Sequence, residues 1–167
     1  MDVYNAYVNA DLEEPVYTQQ PPRYIEQSSQ HILKLKKAMY GLKQSGQVWY
    51  KCLSAAMNKI GFTKSKSDAA VFYRHNGKGF VIIAIAVDDL IITAINDEII
   101  CEIKADLMKI FKMKDLGELH WLLNLKIEQN RTSKSISFSQ EAYIDKMMSQ
   151  FHLEDSKMHT TPIEPNI

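Results

Sequence analysis

Apolar positions change period several times along the chain, and each change marks an element. From 44 to 60 they recur at helical spacing, with Val48, Trp49, Cys52, Leu53, Ala56 and Ile60 on one face and Gly61 where a C′ residue belongs. That predicts a helix over 44–60. Ala70–Arg74 reads as a strand and Asn76-Gly77-Lys78-Gly79 as a tight turn. Phe80–Val87 is rich in β-branched residues and apolar on both faces, so it reads as a buried central strand, with Leu90–Ala94 as its hairpin partner. A second helix follows Asn96 or Asp97, either of which can cap it, and buries Ile99, Ile100, Ile103, Leu107, Ile110 and Phe111. Leu119–Glu128 and Ser135–Ser139 predict two strands around an Asn130–Lys134 turn. A third helix follows Ser139, with Ile144, Met147, Met148 and Phe151 as its stripe.

The first third of the chain is less regular. Met1-Asp2-Val3 can be strand, and Asn5–Asp11 a helical turn. Pro15, Pro21 and Pro22 break regular structure, Gln27–Gln30 reads as exposed turn, and Val16–Thr18 can pair with Ile32–Leu35 around it. Antiparallel runs of strands with helices between them predict an α+β fold, an antiparallel sheet with helices packed on one face. The tail from His159, with Pro162 and Pro165, reads as chain leaving the domain, which puts the expected boundaries at 1–158 and 159–167.

Composition narrows the class. The chain's 167 residues suit one domain. With 46% apolar and 24% charged residues, a disordered tail, a collagen-like chain and a coiled-coil rod are excluded. Twenty basic residues balance twenty acidic ones, which excludes a uniform cationic coat but leaves room for a local stripe. Cys52 and Cys101 give no disulfide framework or zinc site; both read as small buried hydrophobes in a reducing compartment. The five histidines show no ligand spacing. Asp2, Asn5, Asn9 and Asp11 break any signal-peptide core, and Asp88 and Asp89 interrupt the apolar run Phe80–Ile95, where each carboxylate would cost about 2.5–3.5 kcal/mol in a bilayer. An intracellular protein with no membrane contact is expected.

Two features carry candidate chemistry. Asp88-Asp89 sits between two runs that want to be buried strands, and Asp-Asp is a poor two-residue turn. Adjacent carboxylates repel unless a cation is present, and Mg²⁺ is a hard cation held by one or two carboxylates plus substrate phosphates. Two readings stand: a solvated turn, or a metal site with a third carboxylate from another strand, for which Asp2 is the candidate. The second feature is charge. Lys34 to Lys66 holds eight lysines and no acidic residue. A nucleic-acid groove beside a metal site requires such asymmetry, with Lys36, Lys37 and Lys43 on phosphates and Tyr40 offering a ring face to a base or sugar; a solvated surface would look the same.

The motifs together resemble the reverse transcriptase of copia-type LTR retrotransposons, over Met1 to Pro165 and in the family's order. Met1-Asp2-Val3-Tyr4-Asn5-Ala6-Tyr7-Val8-Asn9-Ala10-Asp11-Leu12 is similar to the first palm motif. Leu35-Lys36-Lys37-Ala38-Met39-Tyr40-Gly41-Leu42-Lys43-Gln44, followed by Trp49-Tyr50, is the most diagnostic stretch. Ala86-Val87-Asp88-Asp89 falls where the family carries Tyr-Val-Asp-Asp, and Phe111–Gly117 and Ser139–Ile144 complete the series. The resemblance implies a reverse-transcriptase palm with the start of a thumb-ward region, acting as an RNA-directed DNA polymerase on a template-primer and deoxynucleoside triphosphates. It implies that Asp2, Asp88 and Asp89 hold two Mg²⁺ ions, that Tyr7 is the steric gate under the sugar, and that Gly41 and Gln44 border the base and template.

Departures qualify this. Ala86 replaces the usual Tyr, Ser45-Gly46-Gln47 stands for Ala-Pro-Arg, and Leu123-Asn124 stands for Leu-Gly. Asp2 follows only one residue, so its strand is expected to fray, and the family's fingers precede this motif. The isolated chain is therefore expected not to extend a primer unless a longer polyprotein supplies them. A non-catalytic nucleic-acid-binding remnant and an inert truncated product are the alternatives.

Overall fold

The computed structural model describes residues 1–25, 31–77 and 79–157. The chain divides into two compact units, 1–117 and 118–167. The expected exit tail at 159–167 and the Gln27–Gln30 turn lie outside the described residues.

The first unit is built on a six-stranded antiparallel sheet. Its strands are β1 (Asp2–Val3), β4 (Thr63–Lys64), β5 (Val71–Asn76), β6 (Gly79–Ala86), β7 (Asp89–Ala94) and β8 (Met113–Lys114), in the order β4-β5-β6-β7-β1-β8. Two helices complete it, α1 (Ser45–Lys59) and α2 (Asp97–Ile110). Successive strand residues point to opposite faces, so register decides what is buried. Val3, Phe72, Val81, Ile83 and Leu90 lie on one face and form a single core with Val48, Trp49, Leu53 and Met57 of α1 and Ile99, Ile103 and Leu107 of α2. The fold is α+β, with the helices on one side of the sheet.

Each helix ends for a local reason. Asn96, not Asp97, caps α2, its Oδ1 accepting from the Ile99 N–H at 3.0 Å. Gly61 follows α1 with φ +85°, a conformation that favours glycine at a helix end. Ile110, expected on the buried stripe, is exposed, because the helix stops there and the chain turns to extended backbone at Phe111. Cys101 is likewise exposed, while Cys52 is half-buried and burial pushes its thiol up.

A separate two-stranded ribbon pairs β2 (Asp11–Gln19) with β3 (Ile32–Lys37), with Val16 opposite Leu35 and Thr18 opposite Leu33. A register shift between Asp11 and Val16 accommodates Pro15.

The second unit holds a three-stranded sheet, β9 (Trp121–Leu122), β10 (Leu125–Asn130) and β11 (Ser135–Ser139), and helix α3 (Glu141–Gln150). The single strand expected over Leu119–Glu128 is a hairpin. Leu123 and Asn124 both take positive φ (48° and 66°), as a two-residue type I′ turn requires. Where the family reads Leu-Gly, Asn124 fills the glycine position with the side chain that best tolerates left-handed backbone. The stripe expected to be buried on α3 is not: Ile144 and Phe151 are exposed, and the helix buries no residue.

Candidate active site

The site is assembled where β1 enters the sheet. β1 lies between β7 and β8, with Asp2 opposite Asp89 on one side and opposite Lys114 on the other. Asp2 does not fray. The Val3 N–H donates to the Asp88 carbonyl at 2.9 Å, the Tyr4 N–H to the Lys112 carbonyl at 3.0 Å, and the Leu90 N–H to the Met1 carbonyl at 2.8 Å. Partners on both sides fix a strand of two residues that would have no stability alone. Val3 and Leu90 face the core, so Asp2 and Asp89 stand together on the other face. Side chains directly opposite on an antiparallel pair are near neighbours. The cross-strand row on that face runs Ala86, Asp89, Asp2, Lys114. Ala86 thus sets a small side chain directly opposite Asp89. The same register sets Lys114 opposite Asp2, a neighbour that no local sequence pattern could have revealed.

The hairpin tip differs from expectation by one residue. Ala86 pairs with Asp89, so the two central turn residues are Val87 and Asp88, and Asp89 begins β7. Val87 takes φ +56° while Asp88 does not join the positive-φ residues, the pattern of a type II′ turn, whose first position favours glycine. A β-branched residue there is strained, and such outliers persist only where surrounding structure over-determines them. Here the indole of Trp49 supplies part of that restraint, its Nε1–H donating to the Val87 carbonyl at 2.9 Å. A small apolar cavity of about 180 Å³ lies behind the turn, lined by Tyr7, Trp49, Tyr50, Leu53, Ile85 and Val87.

The diagnostic Tyr-Gly-Leu stretch reaches the same turn. The Tyr40 hydroxyl donates to Asp88 Oδ2, and that bond pushes the phenol up to about 12. The Tyr40 ring meets Tyr7 at 4.5 Å between centroids, tilted by 59°. Tyr7 sits in a 3-10 turn over Ala6–Asn9, entered through left-handed Asn5 and closed by Asn9 Nδ2, which donates to the carbonyls of Tyr4, Asn5 and Ala6. Gly41 has φ +94° with open space where a Cβ would go. The turn therefore needs its backbone conformation, not a close approach. Buried Ser45 pins the same turn, donating through Oγ to the Met39 carbonyl at 2.6 Å. Gln44 stands at the N-cap of α1 without a side-chain capping bond.

The donor chemistry suits a hard divalent cation. Asp2, Asp88 and Asp89 border one turn, and Asp88 Oδ1 is buried with no hydrogen-bond partner. Among the described residues, no three acidic, histidine or cysteine side chains close on one point as a finished ligand set.

The lysine segment divides. Lys37 pairs with Asp11 at 2.8 Å and Lys51 with Glu13 at 2.7 Å, so acids of β2 neutralise part of the charge. Lys36 and Lys43 carry no ion pair among the described residues and are exposed. Among the described residues, no helix is long and apolar enough to cross a membrane.

The first unit thus carries paired carboxylates beside a hairpin turn, with a tyrosine-glycine segment folded onto that turn. Comparison with known proteins gives the family. The family model described as "Reverse transcriptase (RNA-dependent DNA polymerase)" matches residues 1–165, and the chain belongs to that family. It is 36% identical over 98% of its length to the Retrovirus-related Pol polyprotein from transposon TNT 1-94 of Nicotiana tabacum, of which it covers 12%. It is 34% identical over 98% of its length to a transposon Ty5-1 protein of Saccharomyces cerevisiae, covering 53%, and 35% identical over 99% to the Pol polyprotein from transposon RE1 of Arabidopsis thaliana, covering 11%. The chain thus corresponds to the reverse transcriptase region of copia-type Pol polyproteins and spans a minor part, or about half, of each of these relatives. No solved structure matches it.

Proposed function

We propose that residues 1–158 form the palm-centred part of an RNA-directed DNA polymerase that adds deoxynucleotides to a primer 3′-hydroxyl on an RNA or DNA template. Asp2, Asp88 and Asp89 would hold two Mg²⁺ ions, which when bound lower the pKa of the attacking hydroxyl and stabilise the leaving pyrophosphate. The observation that carries this reading is the cross-strand pair Asp2–Asp89 beside the Asp88 turn, in a chain of the reverse transcriptase family. Tyr7 would lie under the incoming sugar, and Gly41 and Gln44 beside the base and template. Lys36 and Lys43 would bind backbone phosphates, with Lys37 tempered by Asp11. Further segments of a longer polyprotein would supply the triphosphate clamp.

The test is primer extension with Mg²⁺ on an oligonucleotide template. It is run on the chain alone and on the chain substituted for the matching segment of a Pol polyprotein relative. Extension that falls by at least about 10²-fold in Asp88→Asn and in Asp2→Asn supports the reading, because misplacing a reacting group by about 1 Å already costs that much. Extension indifferent to both substitutions would sink it.

A further inference from the structure

Tyr40 is expected from the sequence to offer its ring to a base or sugar, yet its hydroxyl is engaged with the Asp88 carboxylate. The geometry points to Tyr40 as a positioning residue that fixes the Asp88 carboxylate so that Oδ1 is the oxygen presented to a divalent cation, an inference that rests on the metal reading above.

Three observations support it. The two carboxylate oxygens are in different situations: Oδ2 accepts from the Tyr40 hydroxyl, while Oδ1 is buried without a partner. An anionic oxygen withdrawn from water with nothing to accept is costly, and a cation is the partner that offsets that cost best. Next, the hydroxyl is held independently of Asp88. Gly41 with φ +94° and the Ser45 bond to the Met39 carbonyl shape the turn, and Tyr7 packs on the ring at 4.5 Å. Finally, Asp88 itself is anchored through its carbonyl, which accepts from the Val3 N–H on the strand that carries Asp2. With main chain and one oxygen fixed, the remaining oxygen has one direction left.

Carboxylates that ligate metals are commonly held by an outer hydrogen bond, and removing that bond typically costs about 10–100-fold in metal affinity. Tyr40 also links the three segments: it contacts Tyr7 after β1, sits ahead of α1, and holds the β6–β7 turn. A nucleotide that displaces Tyr7 would therefore be felt at Asp88.

The experiment measures Mn²⁺ binding to the whole chain by the loss of free-ion electron paramagnetic resonance signal, with Mg²⁺ as competitor. It compares wild type, Tyr40→Phe and Asp88→Asn. Tyr40→Phe keeps the half-exposed ring and is expected to leave the unfolding midpoint near wild type. Binding about 10–100-fold weaker in Tyr40→Phe and abolished in Asp88→Asn supports the inference. Loss in Asp88→Asn with Tyr40→Phe unchanged within about twofold, or tighter, overturns it and leaves the metal reading standing. Equal binding in wild type and Asp88→Asn, or none in wild type, removes both.

Discussion

The indole N–H of Trp49, buried in helix α1, donates to the carbonyl of Val87 at the tip of the β6–β7 hairpin, 38 residues away in sequence and 2.9 Å in space. Trp49→Phe keeps an aromatic ring against Phe111 but leaves that carbonyl without its donor. The cost is expected at about 1–3 kcal/mol, the range for an orphaned half-buried polar group. Urea unfolding checks it; a decrease below about 0.5 kcal/mol would mean that water replaces the indole.

Val87 stores strain that glycine would release. Its φ of +56° costs a side-chain-bearing residue roughly 1–2 kcal/mol, and its side chain is 48% exposed, so truncation sacrifices little burial. Val87→Gly is expected to hold or raise the thermal midpoint, against the usual penalty for glycine in a strand-rich segment. Val81→Gly, deep in the same hairpin, is expected to lower it steeply. A Val87→Gly variant as unstable as Val81→Gly would show that the turn is not strained.

The same hairpin shows what the sequence could and could not reveal. Its two strands are legible because apolar β-branched runs flank a polar break, and α1 because its core positions and a terminal glycine share one period. The turn itself is hidden, since nothing about valine signals positive φ; only the Trp49 bond and the Ala86–Asp89 pairing impose it. The β9–β10 hairpin escapes a sequence reading because Leu-Asn is a weak turn signal. The candidate carboxylates are legible through family motifs. Their neighbours are not: Lys114 reaches Asp2 by pairing across 112 residues, and Tyr40 reaches Asp88 across 48.

Asp115 follows β8, and the Lys104 ammonium 2.8 Å away, with the Gly117 N–H, holds its carboxyl below the usual range. A depressed folded-state pKa contributes stability present above the unfolded value of about 3.9 and lost as pH falls through the folded value. The pair is partly exposed, so solvent screening limits it to about 0.2–1 kcal/mol. Lys104→Met is expected to lower stability at pH 7 by that amount and to match wild type near pH 2. A deficit unchanged between the two pH values would assign the effect to packing of the lysine stem.

Affinity for a template-primer should separate the lysines. Removing one phosphate-binding ammonium flattens the plot of log affinity against log salt by about 0.9 for duplex. Lys36→Ala with Lys43→Ala is expected to flatten it by roughly twice that. Lys37→Ala alone is expected to change it less, because Asp11 already occupies that ammonium. Filter binding between low and moderate salt measures this, and a larger effect from Lys37 would reverse the assignment.

The placement of β1 has a consequence for biosynthesis. The strand that bears Asp2 is stitched between Asp89 and Lys114, so both its neighbours leave the ribosome long after it does. At about 5–20 residues per second, the nascent β1 waits on the order of ten seconds before it can dock. Throughout that interval its amides and carbonyls stand open to any passing strand. The Asp2–Asp89 pair can close only after translation has passed residue 89, and until then shielding the early strand falls to whatever attends the emerging polypeptide.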